Sequence, residues 1–389
     1  MAMNKLQVKN YGCRINAYEA EIIKEIIRGD DNVIVLNTCT VTAEAHRQCL
    51  QGLRKLRKEN PHARIIVTGC ASTVLPEDFT ELADVIVHND RKTIPSSYIA
   101  GAADEPMLIT GVEERNRAFL QVQHGCDYKC TYCIVPKARG ASRSVPYDRI
   151  HEQITSLLAT GVKEIVLTGI NLSDYDGGIA PLAERILADF PKLRLRLSSL
   201  DPAKIDDAVI ELFRKGGVLP HLHLSIQAGD NTTLKRMGRR HRREDIIKIA
   251  EKIHDVCSDI MLGADFITGF PMESEEDFAN TCRLVEEAGL SLLHVFPYSE
   301  RPSTAATKLP PVDKNVRKNR AEILRNIGAK ALEKKLRSLI GHTLNVLLET
   351  DSRGHSDNFI MVNTSGKAGE LVRVKIGKVQ DGELWGEIV

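Results

Sequence analysis

The chain has 389 residues, 27% of them charged, yet its formal net charge is only +1 and 42% of its residues are hydrophobic. That length predicts two or three domains, and that composition a soluble protein with room for a sizeable core. The near-neutral balance excludes naming a partner from whole-chain charge. No apolar run reaches the length of a membrane span, and residues 1–6 lack the core of a signal peptide, so we expect no membrane and a cytoplasmic location. The nine cysteines, an odd number in such a chain, point to a reducing compartment and to metal or catalytic use, not to disulfides.

Residues 5–10, 33–37, 64–68 and 85–88 read as strands, and 16–28 and 43–59 carry helical periodicity. This alternation predicts a small parallel α/β sheet. The polar stretch 101–117 reads as a linker. A second α/β series follows, with strands expected at 119–123, 164–168, 193–197, 221–225, 261–267 and 293–297 and helices between them. Six such units suit an incomplete TIM-type barrel better than an open sheet. A helix is expected over 313–340. Residues 345–389 alternate apolar and polar and are dotted with glycine, as in a small β-barrel or sandwich. The expected fold class is therefore α/β in three units: 1–110, 111–330 and 331–389.

Two cysteine sets carry the chemistry. Cys126, Cys130 and Cys133 form C-x3-C-x2-C directly after a predicted strand, at the end where barrel active sites gather. Three thiolates are one fewer than a closed cysteine-only iron–sulfur or zinc site needs, which leaves a metal position open to a cofactor. A zinc knuckle is the bland alternative, but no second cysteine pair follows. Cys13, Cys39 and Cys70 each lie just past a predicted strand of the first unit. In a parallel sheet these strand ends share one edge, so three scattered cysteines could converge there; the plain alternative is three buried structural cysteines. Cys49, Cys257 and Cys282 sit in helical patterns and read as structural.

The motifs together resemble a family. Cys126-x3-Cys130-x2-Cys133 is similar to the signature of the radical S-adenosylmethionine (SAM) superfamily. With Tyr11-Gly12-Cys13-Arg14-Ile15-Asn16, Asn37-Thr38-Cys39, Gly69-Cys70, Cys133-Ile134-Val135-Pro136-Lys137-Ala138-Arg139-Gly140 and Phe296-Pro297-Tyr298-Ser299, the whole chain resembles the methylthiotransferases. Three branches of that family differ beside the first cysteine and after the third cluster cysteine. Arg14-Ile15-Asn16-Ala17-Tyr18-Glu19 and Ala138-Arg139-Gly140-Ala141-Ser142-Arg143-Ser144 are most similar to the MtaB branch. One departure is Met272 in Gly269-Phe270-Pro271-Met272-Glu273-Ser274, where the family often has glycine.

The resemblance implies a central radical-SAM (β/α)6 barrel, an N-terminal α/β domain and a C-terminal TRAM domain, a small OB-like β-barrel. It implies two [4Fe–4S] clusters, one on Cys126, Cys130 and Cys133 and an auxiliary one on Cys13, Cys39 and Cys70, together with S-adenosylmethionine. The implied reaction is radical methylthiolation of C2 of N6-threonylcarbamoyladenosine at position 37 of tRNA. The alternatives are N6-isopentenyladenosine in tRNA or an aspartate of a ribosomal protein. An external electron donor of flavodoxin-like type and a sulfur donor are implied as partners.

Gly169 and Asn171, in a turn after a barrel strand, and Gln227, at another strand end, are candidate SAM contacts. Lys235, Arg236, Arg239, Arg240, Arg242 and Arg243 concentrate six basic residues in nine positions, and 313–340 adds a second basic stretch. Such runs suit phosphate neutralisation, although a solvated helix face gives the same pattern. Phe359, in Ser356-Asp357-Asn358-Phe359, is read as core filling or a base-stacking residue.

Overall fold

The computed structural model describes residues 7–109, 111 and 116–389. The expected strand residues 5 and 6 and linker residues 110 and 112–115 lie outside that set.

The first unit is a four-stranded, all-parallel sheet in the order β1 (Val8–Asn10), β2 (Val33–Thr38), β3 (Arg64–Gly69), β4 (Val85–Val87). Helix α1 (Arg14–Ile26) and helix α2 (Ala43–Glu59) connect the first three strands, and the short α3 (Cys70–Val74) follows β3. β2 is buried along its whole length, as expected of a central parallel strand covered on both faces. One face packs Ile34, Leu36, Ile65 and Val67 on Leu53 and Phe79.

The second unit has six parallel strands. β5 (Arg117–His124), β7 (Glu164–Gly169) and β8 (Arg194–Leu197) pair in register, with the antiparallel β6 (Arg143–Ser144) on the outer edge of β5. The chain kinks after β8 and resumes as β9 (Ser199–Leu200). That strand pairs with β10 (His221–Gln227), then β11 (Met261–Thr268) and β12 (Leu292–Pro297). Helices α4 (Val135–Arg139), α5 (Tyr147–Ala159), α6 (Ile179–Asp189), α7 (Asp207–Arg214), α8 (Asn231–Met237), α9 (Arg243–Val256) and α10 (Glu275–Glu287) fill the connections. This is the expected six-stranded partial barrel, open between β5 and β12.

Helix α1 serves two units at once. Its Tyr18, Ile22 and Ile23 share one continuous core with Leu120 and Val122 of β5 and Ile150 and Ile154 of α5. The α/β unit is thus packed on the barrel's edge, not tethered to it.

Helix α11 (Lys314–Ser338), capped by the Asp313 carboxylate on the Asn315 and Val316 amides, leads to the last unit. That unit is a closed five-stranded barrel: β13 (Thr343–Thr350), β14 (Arg353–Ser356), β15 (Met361–Asn363), β17 (Glu383–Ile388) and β16 (Leu371–Gln380), in that order. Its core includes Val346, Leu348, Val362, Val374 and Leu384, joined by Leu336 of α11 and Met261 of β11.

Phe359 is not part of the small barrel's core, the first role expected of it. It sits with φ +66° at the tip between β14 and β15 and points into the N-terminal mouth of the large barrel. There its ring lies 4.7 Å from those of His221 and His355, with the Arg117 and Arg196 guanidinium groups 5.2 and 4.9 Å from it. Arg194 pairs with Asp357 at 2.5 Å, Arg117 with Glu349 at 2.9 Å, and Arg196 donates to the Asp357 carbonyl at 2.9 Å. The small barrel therefore closes the floor of the large one.

Candidate functional site

The Cys126–Cys133 loop is built onto the top of β5. Gly125 turns with φ +72°, and a Cβ there would fall 1.9 Å from the Ala141 carbonyl, so only glycine fits. The loop is tied on both flanks. The Cys126 amide donates to the Gly140 carbonyl at 3.1 Å, the Thr131 amide to Met237 at 3.0 Å, and the Ala306 amide to the Thr131 carbonyl at 2.8 Å. Cys126, Cys130 and Cys133 line a cavity of about 420 Å³, and Cys13 lines the same cavity.

In the first unit, Cys13 caps α1, Cys39 follows β2 and Cys70 opens α3, all on one edge of the parallel sheet. Gly12, with φ +104°, brings backbone against Cys39: a Cβ would lie 2.8 Å from the Cys39 Cβ and 2.9 Å from its Sγ. Asn89 Nδ2 lies 3.7 Å from Cys70 Sγ and also donates to the Ala138 carbonyl at 2.8 Å, joining this edge to the cluster-loop region. Cys49 of α2 supports the Cys39 loop, accepting from the Cys39 amide at 3.4 Å.

The thiols fit a soft metal. Burial pushes both the Cys39 and the Cys133 thiol up to about 12, so neither ionises readily unless a cation stands beside it. Each set offers three sulfurs. His124, the histidine next to the loop in sequence, has its Nε2 engaged by Arg139 Nη1 at 3.1 Å. Three sulfurs without a fourth ligand suit an iron–sulfur cluster with one open iron better than a closed zinc site.

The rest of the cavity wall holds two of the three expected SAM contacts, Asn171 and Gln227. Gly169 is not part of that wall. It closes β7 against Gln123, where a Cβ would meet the Gln123 side chain at 3.0 Å. Gln123 itself orders the region: its Oε1 accepts from the Asn171 amide at 2.8 Å, and its Nε2 donates to the His124 and Gly125 carbonyls. Gln227 holds φ +78°, a costly conformation for a residue with a Cβ.

Sequence reasoning missed Asp201, Ser225 and Asp265, which also line the cavity, and it gave Arg239 the wrong setting. Arg239 lies at the cavity wall with its side chain only 6% exposed. It contacts Cys130 Sγ at 3.6 Å, donates to the Ser225 carbonyl at 2.6 Å and pairs with Asp201 at 3.2 Å. A basic run read as text cannot separate such a residue from its exposed neighbours. Arg236 is likewise occupied by the Met272 carbonyl and Asp277, and Arg243 by the Gly229 and Asn280 carbonyls and Glu287. Lys235, Arg240 and Arg242 are exposed, with Arg240 4.0 Å from the Tyr128 ring.

Deeper in the barrel, Asp265 is shared by His223 at 3.0 Å and His294 at 3.2 Å. No helix among the described residues is long and apolar enough to cross a membrane.

Residues 120–285 match the Radical SAM superfamily, and residues 5–88 match the family described as "Uncharacterized protein family UPF0004". The chain is 38% identical to the threonylcarbamoyladenosine tRNA methylthiotransferase MtaB of Rickettsia prowazekii (strain Madrid E), covering 97% of this chain and 96% of that one. It is 32% identical to a tRNA-2-methylthio-N(6)-dimethylallyladenosine synthase of Ruegeria sp. (strain TM1040), covering 100% and 99%. Among solved structures, the radical SAM methyltransferase TsrM of Kitasatospora setae superposes with a TM-score of 0.53 at 13% identity, covering 72% of each chain; that likeness concerns the fold alone.

Proposed function

We propose, for a chain that belongs to the radical SAM methylthiotransferases of the MtaB type, that it transfers a methylthio group to C2 of N6-threonylcarbamoyladenosine at position 37 of tRNA. The observation that carries this reading is full-length similarity to a relative named for that activity, joined to a single cavity lined by Cys126, Cys130 and Cys133 and, from the other set, by Cys13.

In this reading Cys126, Cys130 and Cys133 hold one [4Fe–4S] cluster and Cys13, Cys39 and Cys70 the other. When bound, the clusters and S-adenosylmethionine supply the radical and the sulfur that the chemistry needs. The protein's own residues orient and enclose. Arg239 steadies the Cys130 sulfur, and such outer partners tune a metal site. Asn171, Gln227, Ser225 and Asp201 offer polar groups to the amino-acid end of the cofactor. Ile134, Ile170, Ile267 and Phe296 form the apolar wall that keeps water from a reactive intermediate.

For the RNA, Lys235, Arg240 and Arg242 remain candidates for phosphate contact. Lys378 Nζ lies 5.3 Å from the ring of the exposed Trp385, with Lys375 in the same groove. An aromatic face with basic neighbours suits a stacked base beside a phosphate. The reading also takes the division 1–110, 111–330 and 331–389, an external one-electron donor, a sulfur donor and a cytoplasmic setting.

Mass spectrometry of tRNA nucleosides from a strain lacking the gene tests the reading. Loss of the methylthio group from threonylcarbamoyladenosine alone is expected. Loss from isopentenyladenosine would move the assignment to the second branch, and unchanged tRNA would overturn it.

A further inference from the structure

Between the two cysteine sets lies a buried charge cluster that does not balance. Glu19 of α1 is 3% exposed, and Lys92 and Arg139 are each 1% exposed at their side chains. Arg139 grips Glu19 with both arms, Nη1 to Oε1 at 2.9 Å and Nη2 to Oε2 at 3.0 Å, and Nη2 also donates to Asn16 Oδ1. Lys92 Nζ lies 2.5 Å from Glu19 Oε2, 3.3 Å from Asn16 Oδ1 and 3.5 Å from Asn37 Oδ1.

The protonation of Lys92 follows from these partners. Asn16 Nδ2 donates to the Tyr11 and Thr38 carbonyls, and Asn37 Nδ2 donates to Asn10 Oδ1 and the Asn16 carbonyl. Both amides are thereby fixed with oxygen towards the lysine. All three neighbours of Nζ are acceptors, which suits an ammonium with three donors and leaves nothing for an amine lone pair. The guanidinium is always charged. His124, its pKa lowered to about 4 chiefly by burial, is neutral, with its Nε2 3.1 Å from Arg139 Nη1. Two cations thus face one carboxylate, and the Arg139 and Lys92 ion pairs among the described residues lead to no second acid. An uncompensated charge at this depth is costly.

What completes the balance lies next door. Asn89 Nδ2 spans from Cys70 Sγ at 3.7 Å to the carbonyl of Ala138, the residue before Arg139, at 2.8 Å. Burial, joined by Arg139, lowers the Lys92 pKa against Glu19 and Cys70, which raise it; Cys70, Glu19 and Cys13 hold Arg139 charged against its burial. Asn16 binds the Tyr11 carbonyl just ahead of Cys13. We propose that Lys92 and Arg139, bridged by Glu19, are the built-in counter-charge of an anionic metal–thiolate group on Cys13, Cys39 and Cys70. Glu19 and Arg139 also join the α/β unit to the segment that follows Cys133, so the same group that binds sulfur's negative charge sets the spacing between the two cysteine sets. Lys92 and Arg139 are positioning residues, not catalytic ones.

This inference rests on the auxiliary-cluster reading, and its test separates the two. Full-length protein is reconstituted anaerobically, and its iron content, its thermal unfolding with and without chelation, and the reduction potentials of its clusters are measured. Lys92→Met removes the excess charge while leaving the Glu19–Arg139 pair. It should make one cluster's potential more negative, leave the other unmoved, and shrink the fall in Tm that follows chelation. Glu19→Gln adds one more uncompensated charge and should shift both quantities the opposite way. Lys92→Arg, which keeps the charge, should behave as wild type. Potentials and Tm differences that match wild type in both neutralising variants overturn the counter-charge, as does Lys92→Arg behaving like Lys92→Met. If instead a variant lacking Cys13, Cys39 and Cys70 keeps the iron of two clusters, the auxiliary-cluster reading falls, and the counter-charge with it.

Discussion

At single side chains the proposed division of work between the two cysteine sets can be tested. Cys130→Ala should abolish both SAM cleavage and methylthio transfer. Cys13→Ala should leave 5′-deoxyadenosine formation while transfer stops. Parallel assays of 5′-deoxyadenosine and of modified nucleoside check this, and full transfer by Cys13→Ala would defeat the two-set scheme. Arg239→Gln removes the charged contact to Cys130 and the pair with Asp201. Loss of such a partner commonly costs about 10–100-fold in metal affinity or activity, so SAM cleavage should slow by that order. These predictions differ in how far the sequence exposed them. The Cys126–Cys133 set announces itself because C-x3-C-x2-C is a local spacing. Arg239, Asp201 and the Glu19–Lys92–Arg139 cluster do not, because their ion-pair partners are 38 to 120 residues away along the chain and only packing brings them together.

At the scale of elements, most strands fall where alternation and apolar runs put them, since burial on both faces leaves a clear mark in the text. The misses sit at ends and kinks. Helix α1 begins at Arg14, not at residue 16: the Cys13 carbonyl already accepts from the Ala17 amide at 3.0 Å. The strand expected over 193–197 continues past a kink as β9. The Gly269–Ser274 turn shows a different kind of departure. Met272 holds φ +64°, the left-handed region, at the position where the family resemblance leads one to expect glycine. Its amide and carbonyl are both used, by the Pro310 carbonyl at 3.1 Å and by Arg236 at 2.8 Å, so the backbone is held there despite its cost. A left-handed residue with a Cβ costs roughly 1–2 kcal/mol, part of which glycine's greater unfolded freedom offsets. Met272→Gly should therefore raise stability by up to about 1 kcal/mol in urea unfolding. A clear loss would show that the half-exposed Met272 side chain contributes packing that outweighs the strain.

For the molecule as a whole, the junction between the two barrels holds a titratable probe. His221 is buried beside Phe359. Burial first, then the neighbouring Arg196, His223, Arg14 and His294, drive its pKa well below 6.5. Arg117 and His355 also face it across the Phe359 ring. The folded state holds the ring neutral while the unfolded chain protonates it near its ordinary value. The stability this confers is fully present above about pH 6.5 and is lost as pH falls below it. His221→Asn should flatten the fall in urea midpoint between pH 7.5 and 5.5, and an unchanged slope would assign that fall to other groups. The same junction bears on how such proteins can be recombined. A terminal domain that hung on a linker could be exchanged between relatives like a cartridge. Here the floor of the large barrel is finished by Phe359, Asp357 and Glu349 of the small one, answering Arg117, Arg194 and Arg196. A chimera that imports a foreign C-terminal domain without those matching floor residues would be a vessel with a leaking base. The unit of inheritance is the pair of barrels, whatever the sequence suggests about where one stops and the next begins.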